Sequence, residues 1–571
     1  MSDQLIEEAS GPVADLSDRF VTRAAALDPI AATFEGIPGH DSELTDYSPD
    51  GIEERLRHSH ATLRELGTTT PDGDAERIAA EVLRRYLEVG VELTETDEEL
   101  RPLRVIGSPV SEIRLCFDLM PRETTDDWQA IAARVAAVPH ALDGLRESLD
   151  QGVQRGVVAA RRQAVACAQQ ADSWGGVTGD TTPYFVGLAE AHRAADLGDD
   201  GLATAIDESA QRATAAYASF GRYLVEEYLP HAEERDAVGK ERYARLARAF
   251  TGTRLDLQET YAWGWDELHR IESAMHQVAE RILPGQPIPD VIDHLEHDPT
   301  RMIEGEDALR GWLQDLIDRT IADMNGTHFD IPAPLQRCEA MIAPPGGAAA
   351  MYYTGPSEDF SRPGRTWYPT QGRTEFPMWG EVSICYHEAV PGHHLQVGTM
   401  RYRRDRLNRF QRTMGWNAGH GEGWALYAER LMGELGYFED PAFELGMLRA
   451  QAMRAVRVVV DIGLHLELAI PATEEFRPGE IWTPEVALDF VINRSRFPAD
   501  FMTSEVDRYL GWPGQAICYK VGERVWLESR DAARKRAGDA WDLKEFHARA
   551  LDLGPMGLAQ LERELARLWS D

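Results

Sequence analysis

The sequence predicts a mainly α fold, and three observations carry that expectation. Segments near 76–93, 125–150, 156–173, 202–232, 240–282 and 304–324 place apolar residues at helical spacing. Signals for β-structure are few and confined to short aromatic runs flanked by Gly and Pro. The chain has 571 residues with 43% hydrophobic content, ample for a large buried core arranged as one large domain or two lobes.

Taken in order, the helical segments read as core-facing stripes. In 240–282, Tyr243, Leu246, Ala247, Phe250 and Leu255 mark one such stripe. Gly/Pro-rich breaks fall at 36–39, 283–290 and 343–356. A division near 285 would separate a helical N-terminal half, 1–285, from a half, 286–571, that holds the chemically suggestive motifs, both lining one cleft. There is no internal repeat and no low-complexity linker. Ala349–Pro356 and Arg365–Pro369 are β-prone, and they predict two or three strands of a small sheet beside the motif described next. Tyr352, Tyr353 and Tyr368 there suit either a cleft lining or the packing of that sheet.

The most telling stretch is Tyr386-His387-Glu388-Ala389-Val390-Pro391-Gly392-His393-His394-Leu395-Gln396. A zinc-peptidase helix carries His-Glu and then a second histidine four residues after the first, so that both imidazoles share a face. Here the fourth place holds Pro391. On an unbroken helix His393 would point about 240° around from His387, and His394 would lie about 10.5 Å further along the axis. Neither pair would chelate one ion. Pro391 has no N–H and its ring opposes the carbonyl four residues back, and Gly392 tolerates unusual backbone angles. The helix is therefore expected to break or bulge over Ala389–Gly392 and bring His393 to the ion. His394 is the rival, requiring a larger disruption.

A catalytic zinc needs three protein ligands and an open position. Gly419-His420-Gly421-Glu422-Gly423-Trp424 supplies a glutamate 29 residues past His393, far enough for a second helix to return. Glu422 is read as the third ligand, against the plainer role of a helix-start acid. Glu429, seven residues on, is placed to orient a ligand histidine, or else is an exposed acid.

Three blocks, HEAVPGHHLQ, GEGWALYAERL and EVDRYLGWPGQAICYKVGERVW, resemble those of the bacterial and archaeal domain of unknown function 885 family. ALDPIAATFEGIPGHDSELTDYSP and VGKERYARLARAF extend the resemblance over nearly the whole chain. That family is grouped with zincin-like metallopeptidases of the gluzincin type. The resemblance implies a largely helical zincin-like fold with a deep central cleft, like thimet oligopeptidase or carboxypeptidase Taq. In such enzymes an edge strand beside the metal helix pairs with extended substrate. A phenol from a late helix assists the oxyanion, and Tyr519 is the matching candidate, with a half-buried packing role as its alternative. Arg508 and Lys520 would bind a substrate carboxylate, or serve as surface charges or structural ion pairs.

The resulting expectation is a zinc-dependent peptidase for short peptides, of oligopeptidase or carboxypeptidase type, with one Zn²⁺ on His387, His393 and Glu422. Glu388 would take the proton of the metal-polarised water and pass it to the leaving amine. The same residues would serve a metal-dependent hydrolase of a non-peptide amide. A helical binding protein with a degenerate site is the third reading.

Composition excludes other classes. Net charge is −37, from 96 acids against 59 bases, which repels nucleic acid and anionic membrane. Arg supplies most of the basic charge, and the acid excess suits a halophilic host, where salt screens self-repulsion. The protein is then expected to melt higher in molar than in low salt; equal melting temperatures would count against this. No apolar run approaches 18 residues, and the first twenty residues lack a basic-then-apolar signal. The five scattered cysteines, without a CxxC pair, suit free thiols in a reducing cytoplasm.

Overall fold

The structure is a computed structural model that describes residues 8–179, 182–343 and 351–569. Among these the fold is mainly α, with two small β-sheets. The chain packs as two compact units. One comprises Ser10–Ala237 with Leu510–Trp512; the other comprises Val238–Tyr509 and Pro513–Asp571, with the chain's first residues. No helix among the described residues is long and apolar enough to cross a membrane.

The first unit is helical throughout. Thr124 and Asp127 form a reciprocal cap that starts Thr125–Arg155. Its apolar stripe packs on Asp200–Tyr223, which also carries Arg161–Trp174 and Tyr184–Ala195, around buried Trp128, Phe117, Phe185 and Tyr217. The expected segment 240–282 is two helices, Lys240–Thr251 and α1 (Leu257–Ile282). The Asp256 side chain caps the second by accepting from the N–H groups of Gln258 and Glu259, so the local capping signal overrides the continuous stripe.

The second unit builds its motifs on five further helices: α2 (Glu381–Glu388), α3 (His393–Tyr402), α4 (Ala418–Glu434), α5 (Pro441–Leu466) and α6 (Cys518–Ala537). Strands β1 (Met302–Glu304) and β5 (Glu375–Pro377) form an antiparallel pair. Strands β2 (Cys338–Ile342), β3 (Tyr352–Thr354) and β4 (Gly364–Tyr368) form a sheet in the order β2-β4-β3, with β2 and β4 parallel and β3 antiparallel at an edge. The expected small sheet is thus present; Ala349 and Ala350 lie outside the described residues.

Helices α4 and α6 touch through their backbones. A Cβ added to Gly423 would lie 2.5 Å from Gly522 Cα, and one on Gly522 would lie 2.0 Å from Gly419 O. Only glycine permits that approach.

A buried polar cluster joins α5 to the start of α6. Tyr243 OH donates to Asp461 Oδ2 at 2.7 Å and Gly514 N–H to the same oxygen at 2.9 Å, while His465 Nε2 lies 3.7 Å from Oδ1. Burial of Asp461 outweighs both hydrogen bonds and the Arg508 charge, and raises its pKa to about 7. The folded state therefore holds a proton that the unfolded chain releases above its ordinary carboxylate pKa, so this group's contribution to stability falls as pH rises from about 4 to about 7. Asp461→Asn removes that titration and keeps an acceptor for Tyr243 and Gly514. The variant is expected to gain roughly 2–4 kcal/mol relative to wild type on going from pH 4 to pH 8, measured by denaturant unfolding. A pH-independent difference would show that Asp461 stays ionised.

Candidate metal and catalytic site

Helix α2 ends at Glu388, and α3 begins at His393. The last regular helical bond runs from Ala389 N–H to Cys385 O, at 2.9 Å. The chain then turns over 389–392, with Gly392 N–H on Tyr386 O at 3.0 Å and His394 N–H on Ala389 O at 3.0 Å. Trp424 Nε1 of α4 donates to Pro391 O at 2.9 Å and fastens the turn. The break expected from Pro-Gly is therefore present. Gly392 is required by space: a Cβ there would lie 1.9 Å from His387 O. Gly392→Ala is expected to destabilise the protein by about 3 kcal/mol or more, read from denaturant unfolding; a change within 0.5 kcal/mol would show that the turn can give way.

The turn brings His393, and not His394, to His387. Their rings meet at 4.8 Å between centroids and 88°. Glu422, in the first turns of α4, reaches both: its Oε2 lies 3.5 Å from His387 Nε2 and 3.5 Å from His393 Nε2. The three donor atoms all lie within 4.8 Å of one another. His394 stands apart. Its Nε2 donates to Leu335 O at 2.9 Å and its Nδ1 accepts from Tyr353 OH at 2.9 Å, so both ring nitrogens are occupied. Burial lowers its pKa to about 4, only partly offset by Leu335 O, so it is neutral.

Glu429 is fully buried two turns beyond Glu422. Its Oε1 accepts from His387 Nδ1 at 2.8 Å, and Ser383 Oγ donates to its other oxygen. That bond fixes His387 with its Nε2 toward Glu422. Burial opposes charge on His387, but the Glu422 and Glu429 carboxylates outweigh it and raise its pKa to about 9. Burial likewise works to raise the pKa of Glu422, but contacts with both histidines hold it well below the carboxylate range. The site thus attracts positive charge strongly. Two imidazole nitrogens and one carboxylate oxygen, converging and buried, are the donor types that suit a borderline ion such as Zn²⁺; the residues present fit that ion.

These groups line a cavity of about 750 Å³. Glu388 faces it, 6% exposed, with its pKa raised by burial against the opposing charges of His387 and His393. Tyr519, at the start of α6, also lines it, with the Arg457 guanidinium 4.7 Å from its ring centroid. Burial and the Glu422 charge push the Tyr519 phenol well above its ordinary pKa, so it keeps its proton at neutral pH. Tyr352 and Tyr353 of the edge strand β3 are in the lining, whereas Tyr368 is buried beneath.

Arg508 and Lys520 do not line the cavity. Lys520 is fully buried, with its Nζ 2.7 Å from Glu267 Oε1, 2.7 Å from Gln451 Oε1 and bonded to Glu523. Arg508 clasps Glu505 through Nε at 3.0 Å and Nη2 at 2.8 Å and donates to Gln515. Their charges are spent inside the protein, as structural ion pairs. The cations that do face the cavity are Arg373, Arg449, Arg454 and Arg457, which sequence reasoning missed. The signal was there: Arg454 and Arg457 sit buried in an apolar helix that also carries Arg449, and a buried guanidinium needs a partner. Trp416 was missed as well; it lies 5.9 Å from the His393 ring and is partly exposed at the cavity.

Fold and site together describe a mainly helical protein with a buried His-His-Glu constellation against a large cavity. The chain belongs to the DUF885 family, described as bacterial proteins of unknown function, whose model matches residues 29–565. It is similar to a solved structure from Colwellia psychrerythraea, provisionally described as a lipoprotein, at 22% identity, with 98% of each chain covered and a TM-score of 0.83. A second, from Shewanella oneidensis, provisionally described as a lipoprotein of unknown function, is 17% identical over 97% of this chain and 100% of that one, with a TM-score of 0.73. These likenesses establish the fold. No curated protein sequence matches the chain.

Proposed function

We propose that the protein is a zinc-dependent, zincin-like peptidase acting on short peptides. The observation that carries this is the convergence of His387 Nε2, His393 Nε2 and a Glu422 oxygen within 4.8 Å, with Glu388 beside them on the same cavity. His387, His393 and Glu422 would hold the ion, and Glu429 would fix the His387 ring. Bound there, the ion supplies Lewis acidity to a carbonyl oxygen and lowers the pKa of water.

The chain's own groups complete the chemistry. Hydrolysis joins a water oxygen to the carbonyl carbon and breaks the C–N bond. Glu388 takes the water's proton on a carboxylate oxygen and returns it to the leaving nitrogen. Its raised pKa brings it toward the working range of a general base. Tyr519, held protonated, donates to the oxygen that gains charge. Strand β3, at the edge of its sheet among the described residues, favours a peptide over another amide, because an edge strand can pair with an extended main chain while Tyr352 and Tyr353 line the cavity.

Metal analysis of the purified protein, paired with a peptide-library digest before and after chelation, tests this. One zinc per chain and cleavage that disappears with chelator and returns with zinc are expected. Metal-free protein that cleaves nothing after zinc is added would sink the reading.

A further inference from the structure

We propose that Arg454 binds the free C-terminal carboxylate of the substrate, so that the protein removes one residue at a time from peptide ends. This rests on the peptidase reading above and specifies its substrate class.

The four cavity arginines differ in how well they are neutralised. Arg449 lies 4.2 Å from the centroids of both the Trp379 and the Phe497 ring and holds Glu296 at 3.1 Å. Arg457 donates to Glu505 Oε2 from Nε at 3.0 Å and Nη2 at 2.7 Å. Arg373 is exposed, with its guanidinium 5.5 Å from the centroid of the Phe376 ring. Arg454 is different. It is 7% exposed, its Nε has no hydrogen-bond partner, and its ion pair is a 3.4 Å contact from Nη2 to Glu429 Oε1. That oxygen already accepts from His387, and the other oxygen of the same carboxylate accepts from Ser383. A cavity-lining guanidinium whose ion pair is long and shared with His387 is short of an acceptor, and a carboxylate is the acceptor whose shape it matches.

Position then sets the reaction. Arg454 and His387 flank the same Glu429 oxygen, at 3.4 and 2.8 Å. With Arg454 and His387 on one cavity, the proposed binding sets the terminal carboxylate one residue, roughly 3.3–3.8 Å of chain, from the scissile carbonyl. The bond broken is the last one, and its nitrogen leaves on a single amino acid. Ile384, Met453, Phe497 and Phe501 line the same cavity, and favour an apolar terminal side chain.

Calorimetric titration of the metal-free protein with N-acetyl-phenylalanine and with its amide tests the site without catalysis. The acid should bind at least tenfold tighter than the amide. Arg454→Gln should bring the two within twofold, and Arg454→Lys should fall between. If Arg454→Gln does not fold, the reduced ratio in Arg454→Lys decides. Equal affinities in wild type, or an unchanged ratio in a folded variant, would overturn the assignment. With zinc restored, free-acid peptides should lose one residue and amidated peptides should be spared. No cleavage at all, with the acid preference intact, would overturn the peptidase reading and leave the carboxylate site standing. Equal cleavage of acids and amides, with no acid preference in binding, would do the reverse.

Discussion

Replacing Glu388 by Gln is expected to lower the rate of peptide hydrolysis by about 10²–10⁴-fold while leaving metal content unchanged. Glu388 is not among the three converging donors, so its loss should not release the ion. Gln keeps the shape and an acceptor oxygen but cannot take a proton at neutral pH. Stability should hold or rise slightly, because burial penalises the charged form that the substitution removes. Initial rates, zinc per chain and a melting curve on the same preparation separate the outcomes. Full activity would remove Glu388 from the mechanism, and lost zinc would make it a ligand instead.

The second large effect divides two neighbouring histidines. His393→Ala should strip the protein of zinc after dialysis, beyond the 10–100-fold weakening typical of losing an outer partner. His394→Ala should keep its zinc and lose stability instead. Its two nitrogens satisfy Leu335 O and Tyr353 OH in a fully buried setting, and leaving each unpaired costs about 1–3 kcal/mol. Zinc content and unfolding free energy measured on both variants decide the matter. The opposite pattern would make His394 the ligand.

Local chemistry made the helix break readable in advance. Pro391 and Gly392 forbid a straight helix whatever surrounds them, so the interruption followed from two residues. The small sheet was visible for a similar reason, in aromatic runs bounded by Gly and Pro. Where a decision depended on partners distant in sequence, the reading faltered. Arg508 and Lys520 carry charge and sit in a suggestive block, but Glu505, Gln515, Glu267, Gln451 and Glu523 claim them, and no spacing rule announces those contacts. Arg454 was missed conversely: it lies in an apolar helix, and nothing within that helix shows that its guanidinium reaches the cavity. Tyr243, Leu246, Ala247 and Phe250 do share the helix Lys240–Thr251, but Leu255 falls in the connection before the next helix, because the Asp256 cap is a one-residue signal inside a long period. The Gly/Pro-rich stretch 283–290 proved to be a connection within the second unit, leading into Ile288–Glu296.

Helices α4 and α6 meet at Gly423 and Gly522 with no side chain between them. Glu422 immediately precedes one contact point, and Tyr519 lies three residues before the other. The spacing between the two helices that carry the acid that would hold the ion and the phenol that would face it is therefore set by backbone contact alone. No rotamer change can widen it, and no conservative core substitution can retune it. Variation in what the cavity accepts must then come from the opposite materials: the edge strand, the Phe497–Phe501 segment and Trp416. A directed-evolution campaign for new substrates should find its gains there and its dead positions at these two glycines.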